Sequence, residues 1–150
     1  MYNRDVATDE DLLRLENQLC FALVTAARNV VGIYRPILEP LGLTHPQYLV
    51  MLALWERSPR SLNDLAADLA LDPATASPLV KRLEKEGLVA RERSIKDERR
   101  LDIGLTDSGR ALRERAVDVP SQVMAAVHMD IEQVAALRDG LSPFAGRIPV

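Results

Sequence analysis

The chain of 150 residues contains a single cysteine, Cys20, inside the apolar stretch LENQLCFALV at residues 15–24. A thiolate is a nucleophile toward peroxides, so this side chain is a candidate for redox chemistry. One cysteine cannot form an internal disulfide, which fits a reducing compartment and leaves a free thiol, an intermolecular bond or an adduct with a small thiol. Burial statistics favour the other interpretation, in which Cys20 packs in the core. Both interpretations stay open at this point.

A second group of residues with functional chemistry is the basic segment 81–100. It carries eight Lys or Arg residues against five Asp or Glu residues, a local net charge of +3. The whole chain has a formal net charge of −3, so the remaining residues carry −6. An acidic body argues against coating nucleic acid non-specifically, whereas a local basic segment favours a confined DNA footprint. Runs of charge are also common on solvated faces.

Metal, nucleotide and membrane functions have no support in the sequence. The two histidines, His45 and His128, are far apart, and CxxC, HxxxH and Gly-rich phosphate-loop motifs are absent, so we predict neither a metal nor a cofactor. The first residues are acidic and lack the apolar region of a signal peptide, and no apolar run is long enough to span a bilayer. These features predict a cytoplasmic protein of one domain.

The elements that must position these residues begin with a helix over 9–35. Thr8 and Asp11 have the spacing of a capping box, and the apolar residues that follow recur at helical intervals. Pro36 predicts the end of this helix. Two prolines and a glycine make residues 36–43 a connector.

Further helix starts predict a helix-turn-helix. Thr44 and Gln47 frame a second capping box, and Ser61 begins a short helix that ends near Ala70. A helix over 73–86 has proline at its first position and glycine just beyond its end. Two short helices separated by a few residues are typical of the helix-turn-helix motif, with 73–86 as the recognition helix.

Residues 88–105 change from helical to alternating periodicity, which predicts a β-hairpin with a charged tip. Thr106 starts another helix, which we expect to be interrupted at Pro120 and followed by an amphipathic stretch over 121–138. The predicted fold class is therefore mainly α with a small β-hairpin. It is a winged helix-turn-helix DNA-binding domain over 44–106, with the wing at 88–105 and helices at both ends of the chain.

This arrangement assigns roles to four residues of the recognition helix. Such a helix presents its N-terminal side chains to base edges in the major groove, so Thr75 and Ser77 are candidates for base contacts. Lys81 and Arg82 lie further along the helix, where they reach phosphates. Each residue taken alone is more often a solvated side chain, and only their combination favours DNA binding.

The predicted wing tip carries a motif. Arg99 is the candidate for insertion into a narrow minor groove, with the Asp97 carboxylate holding its guanidinium. The segment DERRLDIGLT at 97–106 resembles the wing of MarR-family transcriptional regulators in its Asp-x-Arg and Leu-Thr spacing. The preceding segment LDPATASPLVKRLEKEGLVARERS, at 71–94, is similar to the recognition helix and first wing strand of that family.

This resemblance implies a single MarR-like unit over 1–150 that forms a homodimer. In this family the terminal helices interlock, which assigns 9–35 and 107–140 to dimerisation. A dimer presents two recognition helices, so the double-stranded DNA partner is expected to be a pseudo-palindromic operator with half-sites about one helical turn apart.

Three segments resemble one subgroup of the family, the organic hydroperoxide resistance regulators (OhrR): LENQLCFAL, YRPILEPLGLTHPQYLVMLALWE and LDPATASPLVKRLE. Cys20 falls on the peroxide-sensing cysteine of these repressors. The resemblance implies that a peroxide converts the thiolate to a sulfenic acid, which forms a mixed disulfide with a low-molecular-weight thiol. The oxidised repressor then leaves the DNA.

The resemblance also suggests which groups serve Cys20. A helix over 9–35 puts the thiol several turns from an N-terminus, where the helix dipole helps little. OhrR proteins supply tyrosine hydroxyls across the dimer; Tyr34 matches one of them, while Val24 and His45 stand at two other tyrosine positions. We predict that Tyr34 and His45 serve Cys20, with His45 as an imidazolium and peroxide sensitivity falling as pH rises through its pKa. The simpler interpretation makes His45 an idle surface residue and Tyr34 a core residue.

Two other functions remain open. A MarR-like regulator released from DNA by a small aromatic or apolar ligand would use Cys20 only structurally, and the replacements at Val24 and His45 agree with a changed stimulus. A thiol-dependent peroxidase is disfavoured because it needs a resolving route and a cation near the thiol, and Arg28 lies two turns away. We therefore predict a regulator without catalytic residues, not an enzyme.

Overall fold

The computed structural model describes residues 8–145, which form eight α-helices and a three-stranded sheet. The helices are α1 (Asp9–Leu12), α2 (Leu19–Leu38), α3 (His45–Glu56), α4 (Leu62–Asp68), α5 (Pro73–Lys85), α6 (Asp107–Ala116), α7 (Val119–Val127) and α8 (Ile131–Gly140). The strands are β1 (Arg60–Ser61), β2 (Val89–Arg93) and β3 (Leu101–Leu105). The predominance of helix and the small sheet confirm the predicted fold class. Among the described helices, none is both long and apolar enough to cross a membrane.

The N-terminal segment is not the single helix predicted over 9–35. The helix α1 has only one turn, and α2 begins afresh after a 3₁₀ turn at Leu15–Asn17. Side chains hold the break, because the Gln18 amide donates to the carbonyls of Leu12 and Arg14, both at 2.8 Å. Such side-chain bonds compete with helical ones, and apolar periodicity does not reveal them.

The far end of α2 also differs from the prediction. Pro36 lies inside α2, which continues to Leu38. A proline at this position removes the helical hydrogen bond to the Gly32 carbonyl. The Leu38 side chain is completely buried, so packing of the last turn offsets that loss.

The helix-turn-helix begins and ends where its capping residues predict. Thr44 and Gln47 form a reciprocal capping box at α3, and Ser61 accepts the Asp64 N–H at 3.2 Å at the start of α4. The recognition helix α5 ends at Lys85, and Gly87 beyond it has a φ of +76°, a backbone conformation that favours glycine.

The sheet contains one strand more than the predicted hairpin. Arg60 and Ser61 form β1 just where Ser61 also caps α4, and the sequence pattern predicts only the helix start there. This strand pairs antiparallel with β3, with Arg60 opposite Ile103, and gives the strand order β1-β3-β2. The antiparallel pair β2 and β3 forms the wing, with Val89 opposite Leu105. Two residues are too few for a visible alternation, so only pairing with the wing reveals β1.

The C-terminal region is divided differently from the prediction. Pro120 does not interrupt a helix but occupies the first turn of α7, where its missing N–H costs no helical hydrogen bond. The predicted stretch over 121–138 is split instead at His128, which has a φ of +55°. A new helix, α8, starts at Ile131 under a capping box formed by Asp130.

Burial is concentrated in the helix-turn-helix, and apolar exposure is concentrated at the chain ends. Apart from Val119 in α7, the apolar side chains that are at most 1% exposed come from α2 to α5 and β3, and the largest of them are Leu38, Met51, Leu54, Leu65, Leu83 and Ile103. Large apolar side chains on and around α1 and α8 are exposed, among them Leu13 at 84% and Ile131 at 71%. The terminal helices therefore leave apolar surface uncovered by their own chain.

Candidate DNA interface and thiol-bearing helix

The exposed face of α5 carries four of the residues predicted to bind DNA. Its inner face is fixed by completely buried side chains, namely Ala76, Val80 and Leu83. Burial of this face turns Thr75, Lys81 and Arg82 to solvent and leaves Ser77 half-buried at its edge. Two hydroxyls near the N-terminus and two cations further along are thus presented together on one helix.

Polar contacts join the wing to the helices on either side of it. The Arg91 Nε in β2 lies 3.1 Å from Glu84 Oε2 at the end of α5. The Thr106 hydroxyl donates to the Gly87 carbonyl at 2.6 Å and accepts the Gly109 N–H at 3.0 Å. The recognition helix, the wing and the start of α6 are therefore tied to one another.

The wing tip differs from the prediction in one contact. Asp97 and Arg99 are both exposed there, but the Asp97 Oδ1 accepts the backbone N–H of Arg99 at 3.0 Å. Within the described part of the chain, no ion pair joins the Asp97 carboxylate to the Arg99 guanidinium. A short Asp side chain favours the backbone two residues ahead, so Asp97 shapes the turn and does not hold the guanidinium.

Arg60 is a positioning residue that sequence reasoning missed. Its side chain is only 3% exposed and lies 2.5 Å from Asp68 Oδ2, while its guanidinium also donates to the carbonyls of Ala53 and Asp64. The hydrogen bond from Arg60, and then its charge, lower the pKa of the Asp68 carboxyl. This one side chain binds β1 to both α3 and α4. Arginine is rarely buried, and nothing in its neighbouring sequence signals that it is buried here.

Cys20 is exposed and lies in the first turn of α2, two residues after the Gln18 N-cap. This position corrects the expectation that the thiol lies several turns from a helix N-terminus. It also removes Cys20 from the core of its own chain. The unpaired N–H groups of a first helical turn form an environment that stabilises anions. The neighbouring Leu19 and Phe21 are exposed apolar residues, so the thiol lies on an apolar surface.

Tyr34, His45 and Tyr48 form an aromatic cluster between α2 and α3. The Tyr34 ring centroid lies 4.7 Å from that of His45 and 5.9 Å from that of Tyr48. Burial lowers the pKa of His45 and raises the pKa values of both tyrosines. A lowered pKa favours neutral imidazole at neutral pH, which argues against the predicted imidazolium. Neutral imidazole still carries one N–H donor.

The structure separates this cluster from Cys20 within one chain. Tyr34 follows Cys20 by fourteen positions in α2, which is about 21 Å along a helix that rises about 1.5 Å per residue. Tyr34 and His45 are therefore brought together, and the thiol is not. Val24 lies on α2 with 40% of its surface exposed and adds no donor.

A cleft of about 630 Å³ adjoins the aromatic cluster at His45. Its walls come from α2, the turn after it, the start of α3 and the end of α5. The charged side chains in these walls are Arg35, Glu39, Arg82 and Glu86. Gln47 is buried and donates to Glu86 Oε1 at 3.5 Å, so the cleft reaches the recognition helix. Between residues 8 and 145, no cluster of three or more His, Cys, Asp or Glu side chains is placed to hold a metal.

The chain is similar to known transcriptional regulators along most of its length. Residues 32–115 match the family model described as transcriptional regulator SarA/Rot. The organic hydroperoxide resistance transcriptional regulator of Bacillus subtilis is 40% identical over 131 residues, which cover 87% of this chain and 89% of that protein.

Solved structures show the same similarity. Reduced AbfR bound to DNA superposes with a TM-score of 0.73 at 34% identity, covering 91% of this chain and 96% of that one. CouR from Rhodococcus jostii RHA1, bound to p-coumaroyl-CoA, superposes with a TM-score of 0.72 at 30% identity, covering 92% and 99%.

Fold, exposed recognition helix and relatives together define a winged-helix DNA-binding transcriptional regulator, not an enzyme. The chain belongs to the MarR family of these regulators and resembles its organic hydroperoxide resistance branch.

Proposed function

We propose that this protein is a homodimeric repressor that senses organic hydroperoxides through oxidation of Cys20. The observation that carries the proposal is the exposed thiol in the first turn of α2. Accessible cysteines can be reached by peroxides and by small thiols, as a redox sensor requires. The 40% identity to an organic hydroperoxide resistance regulator supports the same stimulus.

The proposed chemistry has two balanced steps. The Cys20 thiolate attacks the distal oxygen of the hydroperoxide, the O–O bond breaks, and the sulfenic acid and an alkoxide form. The alkoxide leaves as the alcohol after taking a proton. A low-molecular-weight thiol then displaces the sulfenic hydroxyl, which gives a mixed disulfide and water.

Tyr34 and His45 are proposed to donate hydrogen bonds to the reacting oxygen from the other subunit of a homodimer. The long separation along α2 excludes such contacts within one chain. Exposed apolar side chains on α2 and α8, such as Phe21 and Ile131, offer surface for the two chains to bury against each other. Because burial keeps His45 neutral near pH 7, it acts as an N–H donor and not as a cation.

The DNA contacts proposed for each subunit follow from the exposed surfaces of α5 and the wing. Thr75 and Ser77 face base edges, Lys81 and Arg82 face phosphates, and Arg99 enters the minor groove. Asp97 supports this by shaping the wing tip. Two such surfaces bind a pseudo-palindromic operator, and we expect the protein in the cytoplasm, where the DNA lies.

The test is a titration of the protein against a duplex selected from a random-sequence library with the reduced protein, at a stated salt concentration. Cumene hydroperoxide with a small thiol should release the parent protein from DNA. The Cys20→Ser variant should bind DNA equally well and stay bound under oxidant. Release of the variant to the same extent would refute sensing by Cys20.

A second function is favoured by the cleft beside His45, and CouR bound to p-coumaroyl-CoA shows that a structural neighbour takes an aromatic ligand. Here a small aromatic or apolar ligand enters the cleft, Arg35 or Arg82 pairs with its carboxylate, and the occupied cleft displaces the end of α5. Cys20 is then structural. Salicylate and p-coumarate added to Cys20→Ser on DNA separate the two functions. Release of the protein from DNA by a ligand persists without the thiol, whereas release by an oxidant does not.

A further inference from the structure

The wing tip carries an apolar side chain that neither the fold nor the proposed contacts explain. Ile95 is 98% exposed, the highest value among the large apolar residues of the described chain. Most of the other exposed apolar side chains lie on the terminal helices, where a second subunit offers them cover. Ile95 belongs instead to the loop between β2 and β3, flanked by exposed cations.

The backbone of the tip is held by its own hydrogen bonds, so Ile95 is presented in a defined way. The Ser94 N–H donates to the Arg100 carbonyl at 2.8 Å and closes the loop. The buried Ser94 hydroxyl accepts the Lys96 N–H at 3.2 Å. Asp97 accepts the Arg99 N–H on the other side of the tip. Ile95 thus lies inside the first of two consecutive hydrogen-bonded turns, with its side chain in solvent.

The charges around Ile95 favour a polyanion as its partner. Arg93, Lys96 and Arg99 are exposed at the same end of the wing, where Glu98 is the exposed carboxylate against them and the Asp97 carboxylate is engaged by the backbone. The minor groove of DNA has phosphates along both rims and the less polar deoxyribose along its walls, and proteins that enter it frequently insert apolar side chains. An apolar groove on a partner protein would bury the isoleucine but would offer no opposite charge to the three cations around it.

We propose that Ile95 is a DNA-binding residue that packs against the deoxyribose wall of the minor groove while the neighbouring cations meet the phosphates. This inference rests on the proposed entry of the wing into the minor groove. It adds an apolar component to the affinity that does not depend on counterion release. Phosphate contacts set the salt dependence of binding, whereas burial of an isoleucine changes the affinity at every salt concentration equally.

The experiment compares Ile95→Thr with Ile95→Val on the reduced protein and the library-selected duplex. Valine and threonine are both β-branched and nearly equal in size, so the pair differs in polarity and not in backbone preference. We expect Ile95→Val to bind within about threefold of the parent and Ile95→Thr to bind about 5- to 20-fold more weakly. The slope of log affinity against log salt should be unchanged in both. Hydroxyl-radical footprinting, which attacks deoxyribose from the minor groove, should show lost protection at the wing position for Ile95→Thr alone.

Arg99→Ala distinguishes failure of this inference from failure of the proposed interface. If the wing enters the minor groove, Arg99→Ala makes the salt slope shallower by about 1.8, because each of the two subunits of the proposed dimer loses one cation. With that result in hand, equal affinity of the valine and threonine variants would overturn the role of Ile95 alone. No change from Arg99→Ala would overturn the placement of the wing, and the inference about Ile95 with it. Weaker binding by Ile95→Thr with an altered slope would make its effect electrostatic and would also contradict the proposal.

Discussion

The helix-turn-helix and the terminal helices differ in how completely their own chain covers them. The first has fully buried side chains in every helix and an arginine, Arg60, whose guanidinium binds three partners from within the same chain. The exposed apolar side chains on and beside the terminal helices include Leu13 at 84%, Ile131 at 71% and, in the 3₁₀ turn after α8, Phe144 at 49%. Cys20 lies among exposed apolar side chains, whereas the predicted DNA contacts lie on the helix-turn-helix and wing, whose inner faces are buried.

This difference indicates which part of the regulator is complete in one chain. Contacts within one chain fix the surface of α5 and the wing, so its geometry does not depend on a second chain. The surroundings of Cys20 are exposed in the described chain, and only the homodimer proposed above would cover its apolar neighbours Leu19 and Phe21.

The largest expected effect tests whether the helix-turn-helix depends on its buried arginine. Arg60→Met keeps much of the side-chain volume but leaves Asp68 and two carbonyls without their partner, which should lower the free energy of unfolding by about 2–3 kcal/mol. Urea unfolding followed by circular dichroism measures this. The neighbouring exposed Arg57, changed to Met, is the control and should change stability by less than about 0.5 kcal/mol. An equal loss in the free energy of unfolding for both variants would show that the buried contacts of Arg60 do not stabilise the fold.

Ile131→Asp tests whether the exposed apolar face of α8 forms a contact between two subunits. If α8 lies in the dimer interface, removing an isoleucine and placing a charge there should weaken dimerisation by about 2 kcal/mol, or roughly 30-fold in Kd. Sedimentation equilibrium gives the constant. Glu132→Gln on the same helix should leave it unchanged. A dimer that tolerates Ile131→Asp would show that this exposed face is not the subunit contact.

A smaller effect is expected at His45, which lies where the two regions meet. Burial lowers the pKa of His45 below its ordinary 6.5, so the unfolded chain takes up a proton before the folded one as pH falls. The contribution of neutral His45 to the free energy of unfolding is therefore complete above pH 6.5. It is lost as the pH falls from there toward the pKa of His45 in the folded chain. Thermal melts between pH 7.5 and 5 should show this decline in the parent and not in His45→Asn.

The only other histidine provides the control for that measurement. His128 is exposed and has a left-handed backbone conformation that asparagine also adopts readily. His128→Asn should keep the pH dependence of the parent between pH 7.5 and 5. If His128→Asn also lost the decline in melting temperature, the decline would come from the overall charge of the protein and not from the burial of His45.

The smallest effect is expected from Asp68, the exposed partner of Arg60. Its lowered pKa means that the charged carboxylate stabilises the fold above the ordinary pKa of 3.8, and that this contribution is lost as pH falls through the folded value. The Asp68 side chain is 55% exposed, so solvent and salt screen the pair. Asp68→Asn should be slightly less stable than the parent at pH 7 and equal to it in strong acid. A difference that grows toward acid would contradict this sign.

Local chemistry was enough to predict the DNA-binding half of the fold. The capping residues at Thr44 and Ser61 and the stop at Gly87 act within a few residues of themselves, so a sequence pattern records them fully. The break before α2 and the strand β1 were not predictable in this way. The first depends on the Gln18 amide reaching back to two carbonyls, and the second on pairing with a strand forty residues away.

The site divides along the same line. The sequence alone provides the single thiol, the hydroxyls and cations of the recognition helix, and the family to which the chain belongs, because residue type and spacing determine each of these. Only the tertiary structure decided that Cys20 lies in the first turn of a helix, that Tyr34 and His45 touch each other but not the thiol, and that Asp97 binds backbone and not guanidinium. The first and the last depend on side chains that bond to nearby backbone, Gln18 to the carbonyls of Leu12 and Arg14 and Asp97 to the Arg99 N–H. The second depends on the packing of α2 against α3. Residue type and spacing do not reveal either kind of contact, because each is one of several that the same side chains could make.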